Sequence, residues 1–216
     1  MPKATHPIGT LITSLAAHEV QTIQWALALK LINTETIDRG KRQDALASPD
    51  DLARWWDRAC ERCPDECAVA RASDPISWTS ELLVAVKVLR RALRALATQV
   101  VEHLAVEEKD LNTINAILAR GYTALEITEQ GTVKTVVRSH TPEQSSVLLP
   151  IALSGLRLFT ESDWRRLHQC QHDRCIVFFY DSTKSGTRRW CSPECMNRAR
   201  SIRHYQLMKK KTEELS

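Results

Sequence analysis

Four cysteines near the C-terminus restrict this chain more than any other feature. Cys170, Cys175, Cys191 and Cys195 follow a Cys-x4-Cys, fifteen-residue, Cys-x3-Cys pattern. Zinc takes four thiolates at the corners of a tetrahedron, with Zn–S near 2.3 Å, and two short-spaced pairs can each supply one edge. The segment between the pairs must then fold back on itself. Residues 176–180 (IVFFY) are β-prone and residues 182–186 (STKSG) are turn-forming, so a hairpin is expected there. Ser192 reads as an N-cap and Pro193 as the first residue of a helix, which places Cys191 just before the helix and Cys195 in its first turn. The layout is that of a treble-clef-like finger holding one structural Zn2+. His168 and His172 stand as substitute ligands. A site closed by four protein ligands has no position for water, which argues against hydrolysis.

The charge distribution suggests what such a finger would touch. The net charge of +4 conceals a strong asymmetry. Residues 165–211 hold twelve Lys/Arg against three acids, a net +9, and residues 1–164 are weakly acidic at −3. After Cys195 the helix continues as MNRARSIRHYQLMKKK, with Ile202, Tyr205 and Met208 as a narrow apolar seam. Arginine binds phosphates and can contact guanine edges in a bidentate way. The candidate DNA contacts are Arg188, Arg189, Asn197, Arg198, Arg200, Arg203, His204, Lys209 and Lys210. The metal would hold the start of this basic helix on a module too small to fold from its own core.

Upstream, the 216 residues, 43% of them apolar, suffice for one main core. Residues 22–34 (TIQWALALKLINT) predict a helix running into a strand before Asn33, and residues 33–46 a loop. Residues 48–60 (SPDDLARWWDRAC) carry a full helix start, with Ser48 as N-cap and Leu52, Trp55, Trp56 and Ala59 as the inward stripe. The longest helical pattern spans residues 77–104, with Leu82, Val86, Leu89, Leu93 and Leu96 in register. A shorter helix over residues 107–121, stopped by Gly121, leads to a β-hairpin over residues 123–140. A further helix follows over residues 142–160, with Pro150 as a potential kink. The fold class is therefore α+β. A helix-rich N-terminal domain with a β-hairpin, residues 1–164, precedes the zinc finger and its basic C-terminal helix, residues 165–216.

Seven cysteines, an odd number, fit reduced thiols or metal ligands better than a secreted disulfide framework. Cys60, Cys63 and Cys67 read as small core residues plus one exposed thiol. No apolar run reaches the length of a membrane span, and the N-terminal residues lack a signal-peptide n-region. The expected location is cytoplasmic and nucleoid-associated. No phosphate loop, nucleophile elbow or assembled acid–base set is evident, so an enzyme is not expected.

Taken together, the finger residues Cys170, Cys175, Phe179, Asp181, Ser182, Arg188, Arg189, Trp190, Cys191, Ser192, Cys195, Asn197 and Arg198 resemble the bacterial CGNR zinc finger. The upstream segments ALKLINT, PDDLARWW, LRRALRAL and DLNTINAIL resemble the ABATE-type domain that precedes it in stress-induced transcription regulators. Two departures fall at the helix start: Met196 replaces the signature glycine, and three residues rather than four separate the last cysteines. The resemblance implies binding of double-stranded DNA by the finger. For the larger domain it implies sensing of a small-molecule effector or formation of a homodimer. It also makes Asn33, Thr34 and Arg39 candidate ligand-binding residues, although capping a strand and shaping a turn would equally account for them. Two other readings remain at this stage. One is an RNA-binding or ribosome-associated zinc protein, with Phe178, Phe179, Tyr180 and Trp190 available for stacking. The other is an enzyme with an accessory finger. No membrane partner is expected.

Overall fold

The computed structural model describes residues 26–68, 75–140 and 142–214. Residues 22–25, the start of the first apolar stretch, lie outside the described residues, as does the N-terminal segment tested for a signal peptide.

Helix α1 (Ala26–Ile32) is the centre of the body, with Leu27, Ala28, Leu31 and Ile32 buried. Its first N–H groups have no partners within the helix, and neighbours supply them. The Glu66 carboxylate accepts from Leu27 N–H at 3.3 Å, and Ser154 Oγ accepts from Ala28 N–H at 2.9 Å. Burial raises the pKa of Glu66, opposed by hydrogen bonds to its carboxylate from the Ser154 side chain and the Leu27 N–H.

The stretch expected to be a loop is instead a hairpin of β1 (Glu35–Asp38) and β2 (Lys41–Asp44), paired antiparallel from Glu35↔Asp44 to Asp38↔Lys41. The expected strand before Asn33 is absent, because α1 runs to Ile32 and pairing starts only at Glu35. The two turn residues, Arg39 and Gly40, both have positive φ, 47° and 79°. That is the backbone a two-residue turn needs to match strand twist. The strands are almost wholly polar, so alternation gave no signal; the two-residue Arg-Gly spacer was the usable one.

Helix α2 (Pro49–Arg62) starts with a reciprocal capping box between Ser48 and Asp51 and buries Leu52, Trp55, Trp56 and Ala59, as the sequence predicts. It breaks at Cys63 before the short α3 (Pro64–Cys67). Cys60 and Cys67, expected as small core residues plus an exposed thiol, instead form a disulfide across the break, with Cα atoms 5.4 Å apart, and Cys63 is a buried free thiol. The Pro64 break redirects the chain enough to bring the two together.

Helix α4 (Ser80–Val101), capped by the Thr79 side chain, is about 33 Å long and buries the predicted leucine stripe. Helix α5 (Glu108–Leu118) leads into the hairpin of β3 (Gly121–Ile127) and β4 (Val133–Ser139), in register from Gly121↔Ser139 to Ile127↔Val133. Helix α6 (Pro142–Thr160) continues through Pro150 and packs on α1, α4 and α5. It approaches α4 closely at Gly155, where a Cβ would stand 2.4 Å from Leu93 Cδ2.

A 3-10 turn (Trp164–Arg166) enters the finger, made of β5 (Leu167–Gln169), β6 (Phe178–Tyr180) and α7 (Pro193–Glu214). The finger's hairpin differs from expectation. Strand β6 pairs back onto β5, upstream of Cys170, and the first cysteine pair lies in the loop joining them. The returning arm at residues 187–190 forms no strand, although Gln171 N–H donates to Arg189 O at 2.9 Å. Leu167 and Phe178 reach into the body's core, while Cys170, Phe179 and Cys195 make a separate small cluster with Cys175, Trp190 and Cys191. No helix among the described residues is long and apolar enough to cross a membrane.

Candidate metal centre and the helix it holds

The finger brings four sulfurs to one point. The Sγ atoms of Cys170, Cys175, Cys191 and Cys195 all lie within 4.8 Å of one another. Cys175 and Cys191 are 3.7 Å apart, and Cys191 and Cys195 are 3.6 Å apart. A tetrahedron with Zn–S bonds of about 2.3 Å has edges of about 3.8 Å, close to both of these separations. Together they form one structural, closed zinc site.

Local structure sets this geometry. In the first pair, Cys170 N–H donates to Val177 O and Cys175 N–H to His172 O, each at 2.9 Å, which folds the loop into a tight knuckle. In the second, Ser192 Oγ accepts from Cys195 N–H at 3.3 Å and Pro193 opens α7, as the cap signals predict. The two halves also meet directly, through Cys191 N–H donating to Cys170 Sγ at 3.4 Å. Burial would raise the Cys170 thiol, but this bond and one from the His172 backbone outweigh it and lower its pKa. Burial pushes Cys175 up to about 11 and, with the Cys195 hydrogen bond, raises Cys191 further. A dication binds cysteines as thiolates, so zinc uptake by this set releases protons. His168 and His172 are not in the set. His172 Nδ1 accepts from Arg174 N–H at 3.2 Å, and the His168 ring tilts against Phe179.

Asp181 holds the segment between the pairs. It is fully buried, and its carboxylate accepts from Thr183 N–H at 2.9 Å and Arg188 N–H at 2.8 Å. Burial would raise its pKa, but these hydrogen bonds and the neighbouring His168 bring it down to about 2. Arg166 adds a clamp, donating to Asp181 O at 3.0 Å and Thr183 O at 2.7 Å.

The candidate DNA residues fall into two groups. Arg188 is engaged with the finger itself: Nε donates to Trp190 O at 2.8 Å, Nη2 to Cys191 O, and the guanidinium covers Phe179 at 5.0 Å. Arg189 donates to Gln171 Oε1 at 2.5 Å and lies over Trp190. On α7, by contrast, every residue from Ser201 to Lys209 is exposed, and so are Asn197, Arg198 and Arg200. Arg203, His204 and Lys209 belong to that exposed run, and Lys210 lies in the same helix. The apolar seam is open too: Tyr205 is 71% and Met208 52% exposed. Phe178 and Phe179 are buried, which removes two of the four rings a stacking platform would use.

Asn33, Thr34 and Arg39 each have a structural partner or place of their own. The Asn33 side-chain amide donates to Phe178 O at 2.7 Å and accepts from Phe178 N–H at 2.9 Å, bonding the body to β6 as a strand would. Thr34 donates to Leu31 O and accepts from Arg90 at 2.7 Å, while Arg39 sits in the hairpin turn. Sequence reasoning missed a second tie, Arg94. From α4 it donates to Ile32 O at 3.0 Å and Ile176 O at 2.5 Å, and it covers the Phe178 ring at 5.2 Å. Its place among three closely spaced arginines was the only available hint.

Two family models match the chain. ABATE, described as "putative stress-induced transcription regulator", covers residues 26–162, and the CGNR zinc finger covers residues 166–206. No curated protein matches the sequence significantly.

Proposed function

Because the chain belongs to the ABATE family of stress-induced transcription regulators and carries the CGNR zinc finger, we propose that it acts by binding double-stranded DNA through helix α7. The helical body senses a signal or pairs subunits. The observation that carries this reading is the contrast along α7. Its first turn carries a zinc ligand, Cys195, and among the described residues Arg198, Arg200, Arg203, His204 and Lys209 of the following turns are exposed. A rigid, basic, uncovered helix matches the dimensions of the major groove. Phosphate contacts from these cations would supply affinity, and Asn197 and the arginines are suited to base edges.

One finger buries too little surface for high specificity by itself, so the active species is a dimer or uses the body as well. The test is selection of the zinc-loaded chain on a random duplex pool, followed by comparison of the enriched site with scrambled duplex and single-stranded RNA at physiological salt. An enriched motif bound at least about 1,000-fold more tightly than scrambled DNA is expected. Equal binding to all three polymers would sink the reading.

A further inference from the structure

Helix α4 stacks Lys87, Arg90, Arg91 and Arg94 at steps of three and four residues, so one face carries four cations. Like charges at this spacing destabilise a helix, which a compensating anion would offset. The β1–β2 hairpin lies across the same face, and between them is a cavity of about 500 Å³. Arg42 completes a set of five cationic side chains in its wall, against two carboxylates, Glu35 and Asp44.

Those two carboxylates are already engaged. Asp44 receives a two-pronged contact from Arg90 at 2.6 and 2.8 Å and faces Lys87 Nζ at 3.3 Å. Glu35 lies 3.2 Å from Arg90 and 4.0 Å from Arg42. Among the described residues, neither Arg91 nor Arg94 has a carboxylate within ion-pair distance. Arg94 is half-buried, and the groups bonded to its guanidinium are two backbone carbonyls. Burial lowers its pKa, yet a guanidinium keeps its proton at neutral pH. Its hydrogen-bond partners are dipoles and the neighbouring Arg42 and Arg90 add positive charge that Glu35 only partly offsets, so a partly desolvated cation here gains from a further counter-charge.

We propose that this cavity binds a small multivalent oxyanion, a phosphate- or carboxylate-bearing metabolite, with Arg42, Arg91 and Arg94 as its contacts. The volume is in the range of small-ligand sites. Glu35 and Asp44 in the same wall favour a compact anion over a continuous phosphate backbone. Arg94 links the cavity to the finger, because the carbonyl it holds belongs to Ile176, next to the ligand Cys175. The inference rests on the sensing part of the function proposed above and gives that sensing a site and a ligand class.

The test is calorimetric titration of the zinc-loaded full chain, without DNA and at constant ionic strength, with inorganic phosphate and with succinate. Sodium chloride is the control. One-to-one saturable binding with Kd of about 1 mM or tighter is expected for at least one of them. Arg91→Ala and Arg42→Ala, both at exposed side chains, should each weaken it at least tenfold without lowering the melting temperature of the ligand-free protein. No saturable heat from either anion, or wild-type affinity retained in either variant, overturns the proposal. Full displacement of bound phosphate by scrambled duplex would assign the face to nucleic acid and overturn it as well. With no DNA in the primary titration, a chain that fails to bind DNA would still give a readable answer.

Discussion

The body and the finger are held together by different physics. In the body, α1, α4 and α6 bury a continuous set of aliphatic side chains around Leu27, Leu31, Leu89, Leu93 and Ile151. Its largest side chains each gain about 1.5–3 kcal/mol from leaving water. The finger has almost no such reserve. Its own cluster is Phe179 and the buried Cys170 and Cys195, with Cys175, Cys191 and Trp190 at the edge, and Phe178, its best apolar residue, packs into the body instead. Its shape comes from one metal ion, one buried carboxylate and a set of backbone bonds. A structure built this way can hold one end of a helix fixed while leaving the rest of it uncovered, which an apolar core of this size could not do.

If the difference is real, the two regions should fail separately. The largest effect is expected from removing the metal. Chelation, or Cys191→Ser, should unfold the finger and weaken DNA binding by at least about 100-fold, while the body keeps its helical signal. Amide hydrogen exchange reads both at once, and loss of protection in α1 and α4 on chelation would break the comparison. Next comes the opposite lesion. Arg90, buried between Glu35, Asp44 and Thr34, should cost the body about 3 kcal/mol when changed to Ala. The cost lies at the low end for a buried pair because the two carboxylates retain some solvent. Zinc affinity, measured by competition with a chelator, should stay within a factor of a few.

Asp181→Asn is the finger's counterpart. It places an amide where a carboxylate receives two N–H groups and should cost about 2 kcal/mol, read as faster zinc loss to a chelator. The wild-type carboxyl sits near pKa 2, below its ordinary 3.8, so its contribution is complete above 3.8 and fades as pH falls through about 2. The stability gap between wild type and variant should therefore be flat above about pH 4 and narrow below it. A gap that widened on acidification would show that the carboxyl is not held in its charged form. Asn33→Ala, which removes both bonds to Phe178, should cost about 1–2 kcal/mol and split a single thermal transition into two. Retention of one transition would mean that Phe178 burial and Arg94 suffice to join the regions.

The sequence made some of this legible and hid the rest for identifiable reasons. The zinc ligands, the Ser192–Pro193 helix start, the Ser48 capping box and the leucine stripe of α4 are local patterns, where spacing alone carries the geometry. The β1–β2 hairpin was invisible to alternation because both faces are polar, and its pairing depends on Arg90 receiving Glu35 and Asp44 from opposite strands. The Cys60–Cys67 disulfide depends on how far the chain turns at Cys63 and Pro64, which no spacing rule supplies. Arg94 and Asn33 act across 82 and 145 positions of sequence, so their roles appear only once the finger is docked. Asp181 was noted as part of a motif, but its role as an acceptor for two separated N–H groups needed the fold.

The smallest effect separates the fixed base of the finger from the free length of α7. Each cation that neutralises a DNA phosphate contributes about 0.9 to the slope of log K against log salt. Arg200 and Arg203 are exposed, so Arg200→Ala and Arg203→Ala should each lower that slope by about 1 while zinc affinity stays unchanged. Arg188 is equally cationic but already holds the Trp190 and Cys191 carbonyls. Arg188→Ala should therefore leave the slope nearly unaltered and instead hasten zinc loss, because the knuckle carrying Cys191 loses its clamp. If Arg188→Ala lowered the slope as much as Arg203→Ala and spared the zinc, the DNA surface would extend down to the metal centre. The division between a fixed base and a free binding helix would then have to be abandoned.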